Sequence, residues 1–186
     1  MLHETVVNGP ALQNGYATHQ MAHDLLRALG NYSHDDDRVL FDVFPIPGSD
    51  REAAWYFRSS HPLESGKELP RPVQGREHAL KAHISLSRRG GLPVSPEWVK
   101  HHFVTGMARQ GIEVDVSSLR VIFELSVKVR KEGLAPFSLR NIHIWAPSVQ
   151  VTDAEKAMHL LKEGYGRGKA FGFGVVHLRE VKRQDG

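Results

Sequence analysis

Two spacings of apolar residues alternate along this chain, and each change of spacing marks an element boundary. From Tyr16 through His19, Met21, Ala22, Leu25, Leu26 and Leu29 the repeat is that of one face of an α-helix. Gly30-Asn31 supplies a stop signal, so 16–29 is predicted as the first helix. Leu2–Val7 before it reads as a short strand. Val39–Phe44 and Ala53–Ser59 after it read as a strand pair about a turn containing Pro45, Pro47 and Gly48. Pro62, Pro70 and Pro72 break regular structure over 61–74, which therefore reads as a connection between two halves.

The second half repeats the pattern at greater length. Glu77–Ser87 is predicted as a long strand, with Ala79, Ala82, Ile84 and Leu86 as its apolar residues. Ser95 is a cap and Pro96 a first helical residue, and the helix they open runs through Trp98, Val99, Phe103 and Met107 to Gly111. Leu119–Arg130 and Leu139–Val151 read as two long strands joined by 131–136. Thr152-Asp153 starts a helix over Ala154–Glu163, and a glycine-rich loop leads to a last strand, Phe171–Val181. The order is β-α-β-β and then β-α-β-β-α-β, the second set being the ferredoxin-like arrangement and the first a shortened copy. The expected fold is α+β: tandem ferredoxin-like (RRM-like) domains with antiparallel sheets and a C-terminal glycine-rich loop, divided as 1–74 and 75–186.

Composition narrows the function classes. At 186 residues with 40% apolar content and dispersed charge, the chain is long enough and apolar enough to fold. No apolar run nears the ~20 residues of a membrane span, and the N-terminus lacks a signal-peptide pattern; a cytoplasmic protein is expected, with no membrane partner. The absence of cysteine excludes disulfides, thiolate zinc sites and cysteine nucleophiles. The net charge of +3 says little by itself. Its distribution says more: Asp35, Asp36, Asp37, Asp50 and Glu52 lie early, while Arg and Lys gather at 76–89, 128–140 and 162–183. That asymmetry fits a surface facing a polyanion.

The strongest local signal is Gly164-Tyr165-Gly166-Arg167-Gly168-Lys169-Ala170-Phe171-Gly172-Phe173-Gly174, with five glycines in eleven residues. Glycines let the backbone approach a ligand and leave amides free for phosphate oxygens. It is no Walker loop, since the terminal Gly-Lys-Ser/Thr is missing, and no dinucleotide fingerprint, since it follows a helix and precedes a strand. A helix followed by GYGRGKAFGFGVVHL resembles the glycine-rich signature of the repeat-associated (RAMP) RNA-binding superfamily. Its form is similar to that of the CRISPR repeat-processing endoribonucleases of type I-E, or Cascade-type, systems. The resemblance is strongest over 119–180. It implies tandem ferredoxin-like domains and an endoribonuclease that needs no cofactor or metal. Its substrate would be the CRISPR repeat hairpin in precursor crRNA, cut to leave 2′,3′-cyclic phosphate and 5′-hydroxyl ends. It also implies retention on the product hairpin among the other subunits of a Cascade-type complex.

The family's catalytic signature is a tyrosine and a histidine three residues apart on the first helix, which falls on Tyr16 and His19 here. One turn of helix puts both on one face. RNA brings its own nucleophile, the 2′-OH, and histidine titrates near neutrality, so it can take that proton or supply one to the leaving oxygen. A tyrosine hydroxyl can orient the ribose or donate to the phosphate. His19 and His23 also stand at zinc-binding spacing, but the glutamate of the protease motif is absent and no third ligand follows, so no metal is expected. Of the twelve histidines, His78, His83, His101 and His102 read as surface residues; His143 and Trp145 read as core packing.

Basic residues supply the expected RNA grip. Lys128, Arg130, Lys131 and Arg140 flank the turn between two long strands, and in the family such a hairpin enters the stem's major groove. Arg88 and Arg89 form a second basic turn suited to phosphates. Arg167 and Lys169, with Gly166 and Gly168, lie in the loop that in this superfamily packs beside the RNA-carrying sheet. Two other readings stand beside the nuclease. A non-catalytic RAMP-type guide-RNA-binding subunit would share the loop but need no Tyr16–His19 pair. An RRM-like messenger-RNA regulator would need stacked aromatics where strand 119–129 offers Phe123 alone.

Overall fold

Asn14 decides where the first helix begins. Its side chain accepts a hydrogen bond from the Tyr16 amide at 3.1 Å, and its carbonyl accepts one from Thr18 Oγ1 at 3.0 Å. The first contact satisfies an amide that a first helical turn leaves unpaired. The computed structural model describes residues 1–12, 14–30, 39–88, 94–133 and 135–181. In it, α1 spans Gly15–Ala28. Strands β1 (His3–Pro10), β2 (Leu40–Pro45), β3 (Glu52–Ser59) and the two-residue β4 (Lys67–Glu68) form an antiparallel sheet in the order β2-β3-β1-β4.

The second sheet contains β5 (Glu77–Ile84), β6 (Ile112–Glu113), β7 (Arg120–Val129), β8 (Phe137–Val151) and β9 (Val175–Glu180). Helices α2 (Pro96–Arg109) and α3 (Ala154–Glu163) complete it. Strand β8 pairs with β5 on one side and with β7 and β6 on the other, and β9 lies outside β5. Substituting β7-β8-β5-β9 for β2-β3-β1-β4 shows the same order in both sheets. The fold is α+β with tandem ferredoxin-like antiparallel sheets. Ser95 and Asp153 cap α2 and α3 through the amides of Trp98 and Lys156, at 3.2 and 3.0 Å, as expected of those residues.

Several boundaries differ from expectation, each for a local reason. The last strand begins at Val175, not Phe171, because Lys169–Phe171 form a 3-10 turn between Gly168 and Gly172, both in the left-handed region. Strands β4 and β6 are too short to leave a period in the sequence. Strand β1 runs on to Pro10 because β3 offers partners that far, and β8 opens at Phe137, opposite Val129.

Alternation divides each strand between a helix-covered face and a face turned toward the other sheet. In β8, Ile142, Ile144 and Ala146 enter the core under α2 and α3 with Leu80, Phe103 and Met107; His143 and Trp145 point the other way. In β3, Trp55 and Phe57 meet α1 through Ala22 and Leu26, whereas Tyr56 and Arg58 face the second half. Strand β3 is therefore buried on both faces, with Arg58 only 2% exposed. Full burial of each large apolar side chain contributes about 1.5–3 kcal/mol. Among the described residues no helix is long and apolar enough to cross a membrane.

Candidate functional site

Three segments far apart in sequence converge at the start of α1. The first is α1 itself, whose Tyr16 and His19 rings lie 6.3 Å apart on one face. The second is the base of the β7–β8 hairpin. Gly15 permits its approach: a Cβ there would stand 2.9 Å from Val129, too close for a real side chain. The Arg130 amide donates to Asn14 Oδ1 at 3.4 Å, and Lys131 Nζ lies 5.3 Å from the centre of the Tyr16 ring. A cation over a tyrosine face is held by the ring quadrupole. The third segment is the glycine-rich loop, whose Phe171 ring lies 5.9 Å from His19 and 5.8 Å from Phe137. His23 stacks edge-on against His19 at 4.5 Å.

The loop keeps its shape because its backbone pairs with β5 and its glycines leave room. The Arg167 amide donates to the Ser85 carbonyl at 2.9 Å, and the Gly174 amide donates to the His83 carbonyl at 2.7 Å. At Gly166 (φ +84) a Cβ would stand 2.9 Å from the Ser85 carbonyl; at Gly172 (φ +84) it would meet the Phe41 ring at 3.1 Å. A side chain at Gly166 is opposed by conformation and by space, and one at Gly172 by conformation, with the Phe41 ring pressed close. The Arg167 guanidinium donates to Ser87 Oγ at 2.7 Å, and the Lys169 stem packs over Gly174.

The other expected RNA contacts are more scattered. Lys128, Arg130 and Lys131 are exposed on the hairpin, and Arg140 is half-buried on β8. Arg88 lies beyond the end of β5, its guanidinium 5.3 Å from the Trp98 ring centre; Arg89 lies outside the described residues. Among the described residues, no three His, Asp or Glu side chains gather closely enough to hold a metal ion.

On the opposite face of the sheets lies a set of polar residues that the sequence reading misplaced. His83 and His78 were expected at the surface. His78 is buried, and the His83 side chain is only 12% exposed. His143 and Trp145 were expected in the core, yet they face a cleft of about 620 Å³ between the sheets, with Lys81, Arg120 and Arg179 beside them. His83 Nδ1 lies 2.5 Å from Asp42 Oδ1, its Nε2 lies 2.7 Å from Asn141 Oδ1, and its ring stacks on His143 at 4.3 Å. Burial works against a charged His83, but Asp42 overrides it and holds the imidazole's pKa above its ordinary value. His143 goes the other way: burial and the neighbouring His83 lower it. Burial also lowers His177, to about 3, with Arg58 adding to the effect. The sequence signal for this cluster was Asp42 itself, a charge inside the apolar strand Leu40-Phe41-Asp42-Val43-Phe44, which burial obliges to find a partner.

The fold and this convergence place the chain in the structural class of tandem ferredoxin-like proteins with a glycine-rich turn docked on the opening helix. Within that class its structure is similar to that of the CRISPR endoribonuclease Cse3 bound to a 19-nucleotide RNA: TM-score 0.77, 16% identity, 96% of this chain and 99% of that one covered. It is similar to the CRISPR-associated protein Cas6e from Escherichia coli K-12, with TM-score 0.71, 15% identity, and 97% and 100% coverage. It is also similar to a chain of a pre-nicking CRISPR RNA-guided surveillance complex, with TM-score 0.63, 17% identity, and 97% and 100% coverage. No family model and no curated protein matches the sequence. At such identities the likeness is one of fold.

Proposed function

We propose that this chain is a metal-independent endoribonuclease that cleaves CRISPR repeat hairpins in precursor RNA and stays on the product hairpin within a multi-subunit surveillance complex. The observation that carries this reading is the meeting of His19 and Tyr16 with Phe171 of the glycine-rich loop and Lys131 of the hairpin. A histidine on a rigid helix, faced by a turn rich in backbone amides and by a cation, matches the needs of phosphodiester transfer. The 2′-oxygen attacks the adjacent phosphorus as its proton passes to a base; the P–O5′ bond breaks, and the leaving 5′-oxygen receives a proton. His19 serves one of these transfers. Tyr16 orients the ribose or donates to a phosphate oxygen whose charge is growing. Lys131 offsets that charge. The likeness in fold to RNA-bound Cse3 and to a chain of a surveillance complex supports the choice of substrate and partners.

The test is incubation of the native chain with a repeat hairpin in excess chelator. Expected products are an upstream fragment ending in a 2′,3′-cyclic phosphate and a downstream fragment starting with a 5′-hydroxyl. Ends of the opposite kind, 3′-hydroxyl and 5′-phosphate, overturn the reading, as does loss of cutting on chelation. Hairpin binding without any cutting favours the guide-RNA-binding subunit instead.

The exposed hairpin cations give a second expectation. Phosphate contacts release condensed counterions, so each one removed flattens the dependence of affinity on salt by a slope of about 0.7–0.9. The double variant Lys128→Ala, Arg130→Ala is expected to lower the slope of log K against log salt by nearly two of these increments. Anisotropy titrations with a labelled hairpin at several salt concentrations read it. An unchanged slope removes these two residues from the RNA surface.

A further inference from the structure

Asp42 and His83 come from different sheets, and what they join is the seat of the glycine-rich loop. Asp42 lies on β2, where its neighbours are equally committed: Phe41 packs its ring on Gly172, and Leu40 packs on Gly164. His83 lies on β5, where its carbonyl accepts the Gly174 amide at 2.7 Å and its ring lies 4.8 Å from Phe173. The contact at 2.5 Å between Asp42 Oδ1 and His83 Nδ1 thus closes the seam at residues 172–174, which directly follow the Phe171 whose ring meets His19.

The hydrogen-bond network sets oxygen atoms against both ring nitrogens of His83. Asn141 Nδ2 donates to Glu124 Oε2 at 3.0 Å, which turns Asn141 Oδ1 toward His83. An amide oxygen can only accept, so His83 Nε2 must carry a hydrogen. Asp42 Oδ1 lies against the other ring nitrogen and also accepts the Val43 amide at 2.8 Å; with the carboxylate ionised, Nδ1 carries a hydrogen too. With Asp42 ionised His83 is an imidazolium, stacked on His143, whose own pKa burial lowers. The charged and titratable groups around it are Asp42 from β2, Glu124 from β7, His143 from β8, His177 from β9, and Lys81 on its own strand.

We infer that Asp42 and His83 are positioning residues: their ion pair is a clasp between the two sheets that seats the glycine-rich turn against the His19 helix. This deepens the nuclease reading and rests on it for its catalytic consequence. The sign follows from the two partners. Asp42 holds His83 above its ordinary pKa, so the clasp is intact at neutral pH and opens as pH rises through His83's folded value. Burial raises Asp42, so the pair is lost again in acid when the carboxylate takes up a proton.

Two measurements on the full chain test the clasp. In native protein labelled with ¹⁵N, the Gly174 amide and the His19 ring resonances are expected to shift with the midpoint of His83, and His83 should show two protonated ring nitrogens at neutral pH. In Asp42→Asn, the alkaline limb of single-turnover cleavage at saturating RNA is expected to move to lower pH, with hairpin Kd within about twofold. A neutral His83 at pH 7, or loop resonances that ignore its titration, overturns the inference whether or not Asp42→Asn folds. A folded Asp42→Asn whose pH profile coincides with the native one, or whose rate falls by one factor at every pH, overturns it as well. A native chain that never cuts RNA sinks the nuclease reading alone, because the resonance titration still decides whether the clasp seats the loop.

Discussion

His19→Ala is expected to lower the single-turnover rate of hairpin cleavage by about a thousandfold, within the 10²–10⁴ range for a lost general acid or base. Hairpin affinity should change by less than about twofold. The asymmetry follows from placement. His19 sits in the second turn of a capped helix, with its ring against Tyr16, His23 and Phe171, while the exposed cations on the β7–β8 hairpin are separate side chains. Removing the imidazole takes away proton transfer and leaves the basic surface intact. Tyr16→Phe keeps the ring under Lys131 and loses only the hydroxyl, so its effect should be smaller. Rapid-quench cleavage with enzyme in excess, run in chelator, separates chemistry from binding. Native-level cleavage by His19→Ala under those conditions removes His19 from the mechanism.

Replacing Arg58 by methionine is expected to destabilise the fold by about 2–4 kcal/mol, because buried partners of a charged donor are left dry. Arg58 Nη1 donates to the carbonyls of Leu161 and Val176 at 3.0 and 2.8 Å, and its Nε donates to Tyr56 Oη at 2.9 Å. Tyr56 in turn donates to Glu4 at 2.6 Å, which brings a carboxylate within one residue of the buried guanidinium. Leu161 belongs to the last turns of α3 and Val176 to β9, so one side chain from β3 holds both ends of the glycine-rich segment. Methionine fills much of the volume, which keeps a cavity from dominating the result. For a chain of this size the loss corresponds to a melting temperature lower by about 10 °C. Urea denaturation of the two proteins measures it, and a difference under about 0.5 kcal/mol would mean that water replaces the guanidinium at both carbonyls.

How far the sequence carried depends on the range of the interaction. Helices α1, α2 and α3 were legible because period and caps are local: Ser95-Pro96 and Asp153 announce their helices within four residues. The two-residue strands were illegible because pairing with a distant strand makes them. The glycine-rich loop was visible as an anomaly, but its 3-10 turn was not, since Phe171 looks like any strand aromatic until Gly168 and Gly172 adopt positive φ. His83 and His143 were misread for the same reason. Alternation shows that a residue leaves the core face, and cannot show that a second sheet waits on the other side.

By itself, the amino-acid sequence determined the doubled strand-helix pattern, the placement of Tyr16 and His19 on one helical face, and the presence of a glycine-rich loop between the last helix and the last strand. Tertiary structure alone decided that this face, the basic hairpin and the loop meet, and that Asp42 and Arg58 find partners across a seam. The reason is distance: local geometry follows from φ/ψ preference and period, whereas a buried charge takes its meaning from a residue forty or a hundred positions away.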